Sequence, residues 1–255
     1  MKISTSADAG DAAGKSFWDS TWSNAKPMVY EGPVFQFSHL ARKFIMDGNG
    51  KKAIELGAMP GNHLVYFHKE FGFHVTALDY VSDASLLRDT FDKNNVTEYE
   101  ILNCDLFSVD IQSNFDLVFS SGLVEHFDDP IAILDKHHQM LRPGGLLFIG
   151  IPNTRYLHWI FMSMFCKDIL DVHRTHLMSL PVLRAYAQSK GMEVLFCDYI
   201  TTFRPFYATP PWFAWCSRAI TKALRLAGLE NIPNRFASPF IFFIAKKRKA
   251  GNCDL

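Results

Sequence analysis

An alternation constrains this chain most: five short apolar runs, at residues 53–56, 74–78, 99–102, 117–120 and 146–151, are separated by stretches with helical spacing. Short apolar runs bounded by turn-forming residues read as strands buried on both faces. Strands that alternate with helices pair in parallel through right-handed crossovers. Two further candidates, residues 193–199 and 239–245, bring the expected strands to seven. The turn chemistry agrees, because Arg142-Pro143-Gly144-Gly145 ends a helical stretch that starts near Pro130 and delivers the chain into the fifth strand. The expected fold class is α/β, a doubly wound, mostly parallel seven-stranded sheet with helices on both faces.

The flanks and insertions divide the rest. Residues 1–16 read as a flexible leader, rich in Ala, Asp, Gly and Ser and without the apolar run of a signal peptide. Phe17, Trp18 and Trp22 crowd one short stretch, and Phe37, Leu40, Ala41, Phe44 and Ile45 fall at helical spacing, so residues 17–50 are expected to form an N-terminal helical cap. Residues 51–255 then make the main domain, with inserted lid segments at about 154–180 and 201–236. A hydrophobic fraction of 48% over 255 residues suits one large core with insertions better than two small domains.

Charge and cysteine usage exclude several classes. The 26 Lys+Arg against 26 Asp+Glu leave no excess positive charge for tracking a nucleic-acid backbone, so no nucleic-acid partner is expected. The five cysteines contain no C-x-x-C pair, so neither a metal site nor a disulfide framework is expected, and a reducing cytoplasm fits. No run approaches the roughly 20 apolar residues that span a bilayer. Charge is uneven, however: residues 200–255 hold nine Lys/Arg against Glu230 and Asp254. Arg218, Lys222 and Arg225 share a helical stripe, and Lys246-Lys247-Arg248-Lys249 follow. Either a solvated face, a rim for an anionic acceptor, or a peripheral contact with the inner face of the membrane explains this basic, aromatic region.

The chemistry-bearing residues gather at strand ends. The first strand runs into Glu55-Leu56-Gly57-Ala58-Met59-Pro60-Gly61, a tight glycine turn before a helix, which lets backbone approach a ligand at the carboxyl edge of the sheet. The second ends in Asp79-Tyr80, where an acid is placed to accept hydrogen bonds from ribose hydroxyls. The third ends in Asp105-Leu106, and the fourth leads through Ser120-Ser121 into Gly122-Leu123-Val124-Glu125-His126. A structural turn or a capping carboxylate explains each of these taken singly.

Taken in order, the series resembles the class I S-adenosylmethionine-dependent methyltransferases, in particular the branch with Glu-His after the fourth strand and L-R-P-G-G before the fifth. The resemblance covers about residues 51–153 and implies a Rossmann-like fold with S-adenosyl-L-methionine as cofactor. It places Glu55, Gly57, Ala58 and Gly61 around the methionine part, Asp79 at the ribose, Asp105 and Leu106 at the adenine, and Ser120 and Ser121 beside the sulfonium, with Tyr80 a further cofactor-binding residue. One departure is that Met59, followed by Pro60, replaces the family's usual middle glycine. A dinucleotide-dependent oxidoreductase would use a similar turn and acid, but G-x-G-x-x-G is absent.

Methyl transfer needs an acceptor atom held in line with the methyl, and a hydroxyl acceptor also needs somewhere for its proton to go. His126, after the fourth strand, and His176, in a Thr-His pair similar to one in the same branch, are the candidate bases. Aromatics in the insertions, including Tyr156, Trp159, Phe203 and Trp212, build the lid's own core, stack on a sugar or quinone ring, or touch a lipid. The expected acceptor is a small hydroxylated molecule, with a saccharide or saccharide-linked intermediate favoured by analogy. A lipid or quinone at the membrane surface and a noncatalytic cofactor-binding module are the alternatives.

Overall fold

The computed structural model describes residues 11, 13–32, 35–174, 179–201, 215, 218–219, 222–223, 225–228 and 232–249. Seven strands, β1 (Lys52–Leu56), β2 (His74–Asp79), β3 (Tyr99–Asn103), β4 (Phe115–Ser121), β5 (Leu141–Pro152), β6 (Glu193–Ile200) and β7 (Phe240–Lys246), form one sheet in the order β3-β2-β1-β4-β5-β7-β6. The pairings from β3 through β5 are parallel, whereas β7 runs antiparallel to both β5 and β6. The Rossmann-like, mostly parallel seven-stranded sheet expected from the sequence is present.

Period-two alternation in the central strands sorts their side chains into two cores. Ala53, Phe119, Phe148, Phe242 and Ile244 face one, which α2 (Ser38–Phe44), α3 (Asn62–Phe71) and α4 (Ser85–Lys93) cover with Leu40, Ala41, Tyr66, Phe67, Leu87 and Phe91. Ile54, Val118, Leu147, Ile149 and Phe243 face the other, covered by α5 (Pro130–Met140) and α8 (Leu180–Ser189) through Ile133, Leu134, Leu183 and Tyr186. Phe37, just before α2, packs its ring 5.2 to 5.5 Å from those of Phe119, Phe148 and Phe242, so the cap is keyed into the first core. Asp129 caps α5 by accepting from the Ile131 and Ala132 amides, with Pro130 at the first helical position.

Two boundaries differ from the sequence reading. Helix α1 (Gly14–Trp22) begins inside the stretch read as a leader, because the Asp11 carboxylate accepts from the Ala13 amide and from Trp18 Nε1 and so fixes the first turn. Strand β5 begins at Leu141 rather than 146: Leu141 pairs with Phe115 and Leu146 with Leu117, so Arg142–Gly145 bulges out of a continuous strand. Gly144 takes φ +84° there, a conformation that favours glycine. Beyond β5, α6 (Leu157–Phe165) and α7 (Lys167–Asp171) occupy the first insertion. Residues 175–178 and most of 202–231, including His176, Phe203 and Trp212, lie outside the described residues.

Candidate active site

A cavity of about 920 Å³ opens at the carboxyl ends of β1 to β4, where open α/β sheets bind ligands. Its floor comprises Gly57, Asp79, Tyr80, Cys104–Leu106 and Ser121–Leu123, and its far end is Glu125, His126 and His173. Helix α1 forms the roof with Phe17, Trp18 and Trp22.

The turn after β1 is built around Asp79. Its Oδ2 accepts from the Met59 amide and its Oδ1 from the Tyr80 amide, each at 2.8 Å, while the Leu78 carbonyl accepts from the Gly57 and Ala58 amides. Gly57 adopts φ +70°, and a Cβ there would meet Leu123 Cδ1 at 3.0 Å, so the position calls for glycine on two grounds. The Asp79 carboxylate retains acceptor capacity beyond these backbone bonds. Burial raises the Asp79 pKa to about 6 against the lowering pull of those amide bonds. Met59, the departure from the usual glycine, is largely buried and packs into the first core while also touching the cavity.

The other expected cofactor residues divide. Gly57, Asp79, Tyr80, Asp105, Leu106 and Ser121 line the cavity. Glu55, Ala58, Gly61 and Ser120 are not on its wall, each for a local reason. Glu55 is buried with Oε1 2.7 Å from His63 Nδ1 on α3, and burial raises its pKa more than His63 lowers it. Ala58 is buried beneath the loop, and Gly61 caps α3, where a Cβ would meet Leu87 and Phe91. Ser120 points at α5 instead: its hydroxyl lies 2.8 Å from His137 Nε2, and His137 Nδ1 donates to the Ile133 carbonyl.

At the far end, a single 3₁₀ turn, Val124–His126, carries Glu125 and His126. The Arg174 amide donates to the Glu125 carbonyl, and His126 Nδ1 donates to the Val172 carbonyl at 3.0 Å, which ties this turn to the segment after α7. A carbonyl only accepts, so the His126 proton sits on Nδ1 and Nε2 carries the lone pair. Burial lowers the His126 pKa to about 3, with His173 adding to the effect, so at neutral pH the ring is a lone-pair acceptor rather than a store for a proton. Glu125 is fully buried, neither carboxylate oxygen has a hydrogen-bond partner among the described residues, and burial raises its pKa to about 8.

Sequence reasoning missed the roof contacts. Trp18 packs edge-on against His126 with ring centroids 4.7 Å apart, and Asp19 accepts from both the amide and the hydroxyl of Ser82. Lys15 Nζ sits 4.4 Å from the centre of the Tyr80 ring. Helix α1 thus bridges the β2 tip and the 3₁₀ turn. The aromatic cluster at residues 17–22 was its sequence signal.

Residues 36–233 match the family described as a methyltransferase domain. The chain belongs to this family. Among its relatives, the ubiquinone biosynthesis O-methyltransferase of Aromatoleum aromaticum (strain DSM 19018 / LMG 30748 / EbN1) is 26% identical over 162 residues, which cover 61% of this chain and 65% of that protein. The chain therefore spans just under two thirds of that relative's length. Phosphoethanolamine N-methyltransferase 2 of Haemonchus contortus, solved with S-adenosyl-L-methionine, superposes with a TM-score of 0.60 at 16% identity, over 97% of this chain and 61% of that one. An S-adenosylmethionine-dependent methyltransferase of Mesorhizobium loti gives 0.57 at 16% identity, over 84% and 98%. At such identities these structures establish the shared fold. The methyltransferase domain's own residues also fit the family's cofactor. The cavity volume lies within the usual range for such ligands, an acid with spare acceptor capacity stands at the β2 tip, and apolar Leu106 stands at the β3 tip.

Proposed function

We propose that this methyltransferase domain O-methylates a hydroxylated, ring-bearing acceptor, with a quinone-type ring ahead of a saccharide. The observation that carries the proposal is the polarity of the cavity's far end: Glu125, His126 and His173 cluster there, while the adjoining walls are Phe17, Trp18, Phe107, Phe127 and Phe240. Apolar, aromatic walls suit a flat ring, and the lone pair on His126 Nε2 suits its hydroxyl. The names of the relatives support the same order, since they are O-methyltransferases of ubiquinone biosynthesis.

Bound S-adenosyl-L-methionine supplies an activated methyl group. Asp79, with Tyr80 beside it, would hold its ribose, Leu106 would pack on its adenine, and the Gly57 turn would receive its amino-acid end. The remaining work of the chain is positioning and exclusion of water. His126 Nε2 accepts the hydrogen bond of the acceptor hydroxyl, orients its oxygen and relays to water the proton that becomes strongly acidic as the oxygen is methylated, while Trp18 packs edge-on against the imidazole. Helix α1 closes the cavity by its Asp19–Ser82 bonds.

The test measures S-adenosylhomocysteine formation by purified protein across dihydroxylated aromatic, quinol and nucleotide-sugar acceptors. Turnover with ring phenols, reduced at least tenfold in His126→Ala, is the expected result. Turnover confined to nucleotide sugars would transfer the assignment to a saccharide acceptor. No turnover with any acceptor, despite cofactor binding, would favour the noncatalytic module.

A further inference from the structure

We propose that Glu125, His126 and His173 form a binding site for a divalent transition-metal ion, open on one side to the cavity. One donor atom from each residue lies within 4.8 Å of the others, and both imidazole Nε2 atoms approach the same carboxylate oxygen: His126 at 3.9 Å and His173 at 4.0 Å from Glu125 Oε1. Metal–nitrogen and metal–oxygen bonds to zinc are about 2.0 to 2.2 Å, so ligand atoms around one ion sit roughly 3 to 4 Å apart. The three donors are thus near ligand spacing, and small side-chain rotations close the remainder.

The tautomers are set for coordination. His126 Nδ1 donates to the Val172 carbonyl and His173 Nδ1 to the Ile169 carbonyl, which leaves Nε2 of each neutral ring as the lone-pair nitrogen. A backbone carbonyl behind a ligating imidazole is the usual outer-shell arrangement, because it fixes the tautomer and the ring plane. The donors come from two segments, and the bonds from His126 to Val172 and from Arg174 to Glu125 hold those segments together whether or not an ion is bound.

The independent observation is the carboxylate. Glu125 is fully buried, and neither of its oxygens has a hydrogen-bond partner among the described residues. Leaving such a group without partners costs free energy that a bound cation removes. Two imidazoles and one carboxylate favour zinc, iron(II), cobalt(II) or manganese(II) over magnesium or calcium, which prefer all-oxygen shells. All three ligands line the cavity, so the open coordination positions face its interior. There the ion takes an oxygen ligand, and, in a clause that rests on the proposed O-methylation, that ligand is the acceptor hydroxyl, whose pKa the ion lowers in place of the His126 hydrogen bond.

Metal binding is measured on the whole chain after chelator treatment, with neither cofactor nor acceptor present, so the result is independent of the methyl-transfer reading. Zinc is titrated calorimetrically, and cobalt(II) is followed by its visible absorption. The expected result is one ion per chain, with zinc affinity reduced at least ~10-fold in His173→Ala and in Glu125→Gln. Circular dichroism melts of the metal-free proteins identify variants that fold, and if one variant fails to fold the other decides. Absence of saturable binding at one equivalent, or an affinity unchanged in a folded variant, would overturn the site.

Discussion

Ser120 and Ser121 are neighbours in sequence with opposite environments. Successive side chains in a strand point to opposite faces, so Ser121 reaches the cavity while Ser120 meets His137 on α5. Because His137 Nδ1 must donate to a carbonyl, Ser120 donates to Nε2, and Ser120→Ala leaves a fully buried acceptor unsatisfied. The expected cost is about 1 to 3 kcal/mol in denaturant unfolding, with cofactor affinity nearly unchanged. The same histidine makes stability depend on pH. Burial lowers the His137 pKa from 6.5 to about 4, so as pH falls the unfolded chain takes up a proton first. Its contribution is full above the unfolded value and is lost between pH 6.5 and about 4, which urea titrations of wild type and His137→Gln compare directly. The place of Asp79 on the cavity floor was legible from sequence because it follows from one position at a strand tip. Glu55 was not, since its partner His63 is set by how α3 packs on β1. The Glu125, His126 and His173 cluster carried no metal-binding signature either, because its members come together only when the segment after α7 folds back on the 3₁₀ turn.

Helix α1 shows what patterning cannot supply. Its aromatics were visible, but its start at Gly14 depends on Asp11 fixing the first turn, and its place over the cavity depends on Asp19 and Lys15 meeting partners distant in sequence. Polar residues that fasten a lid look like any solvated helix face. If α1 closes the cavity as proposed, Asp19→Ala raises the dissociation constant for S-adenosylhomocysteine about 3- to 10-fold, the worth of a surface hydrogen-bond pair, without lowering the melting temperature of the ligand-free protein. A changed melting temperature with unchanged affinity would make α1 a structural strap. Strand β5 teaches a related lesson. Arg142-Pro143-Gly144-Gly145 correctly marked the end of α5, but the backbone remains in the sheet as a bulge, which turn residues alone do not distinguish from a loop.

At the scale of the molecule, the seven-stranded sheet was the most legible feature, because strands buried on both faces write themselves as apolar runs. The antiparallel direction of β7 was not legible, since strand direction leaves no trace in a short apolar run. No helix among the described residues is long and apolar enough to cross a membrane. His176 and most of the second insertion lie outside the described residues, so the acceptor proposal rests on the far end of the cavity, whereas the cofactor assignment rests on its floor. On this reading the floor binds an adenosyl sulfonium cofactor through Asp79. Calorimetric titration with S-adenosylmethionine, S-adenosylhomocysteine and NAD, on wild type and Asp79→Ala, tests it most directly. Saturable binding of the two adenosyl ligands and not of NAD is expected, weakened about 10- to 100-fold in the variant, the loss of a buried charged acceptor for two hydroxyls. Binding of NAD alone, or adenosyl affinities indifferent to Asp79→Ala, would contradict it.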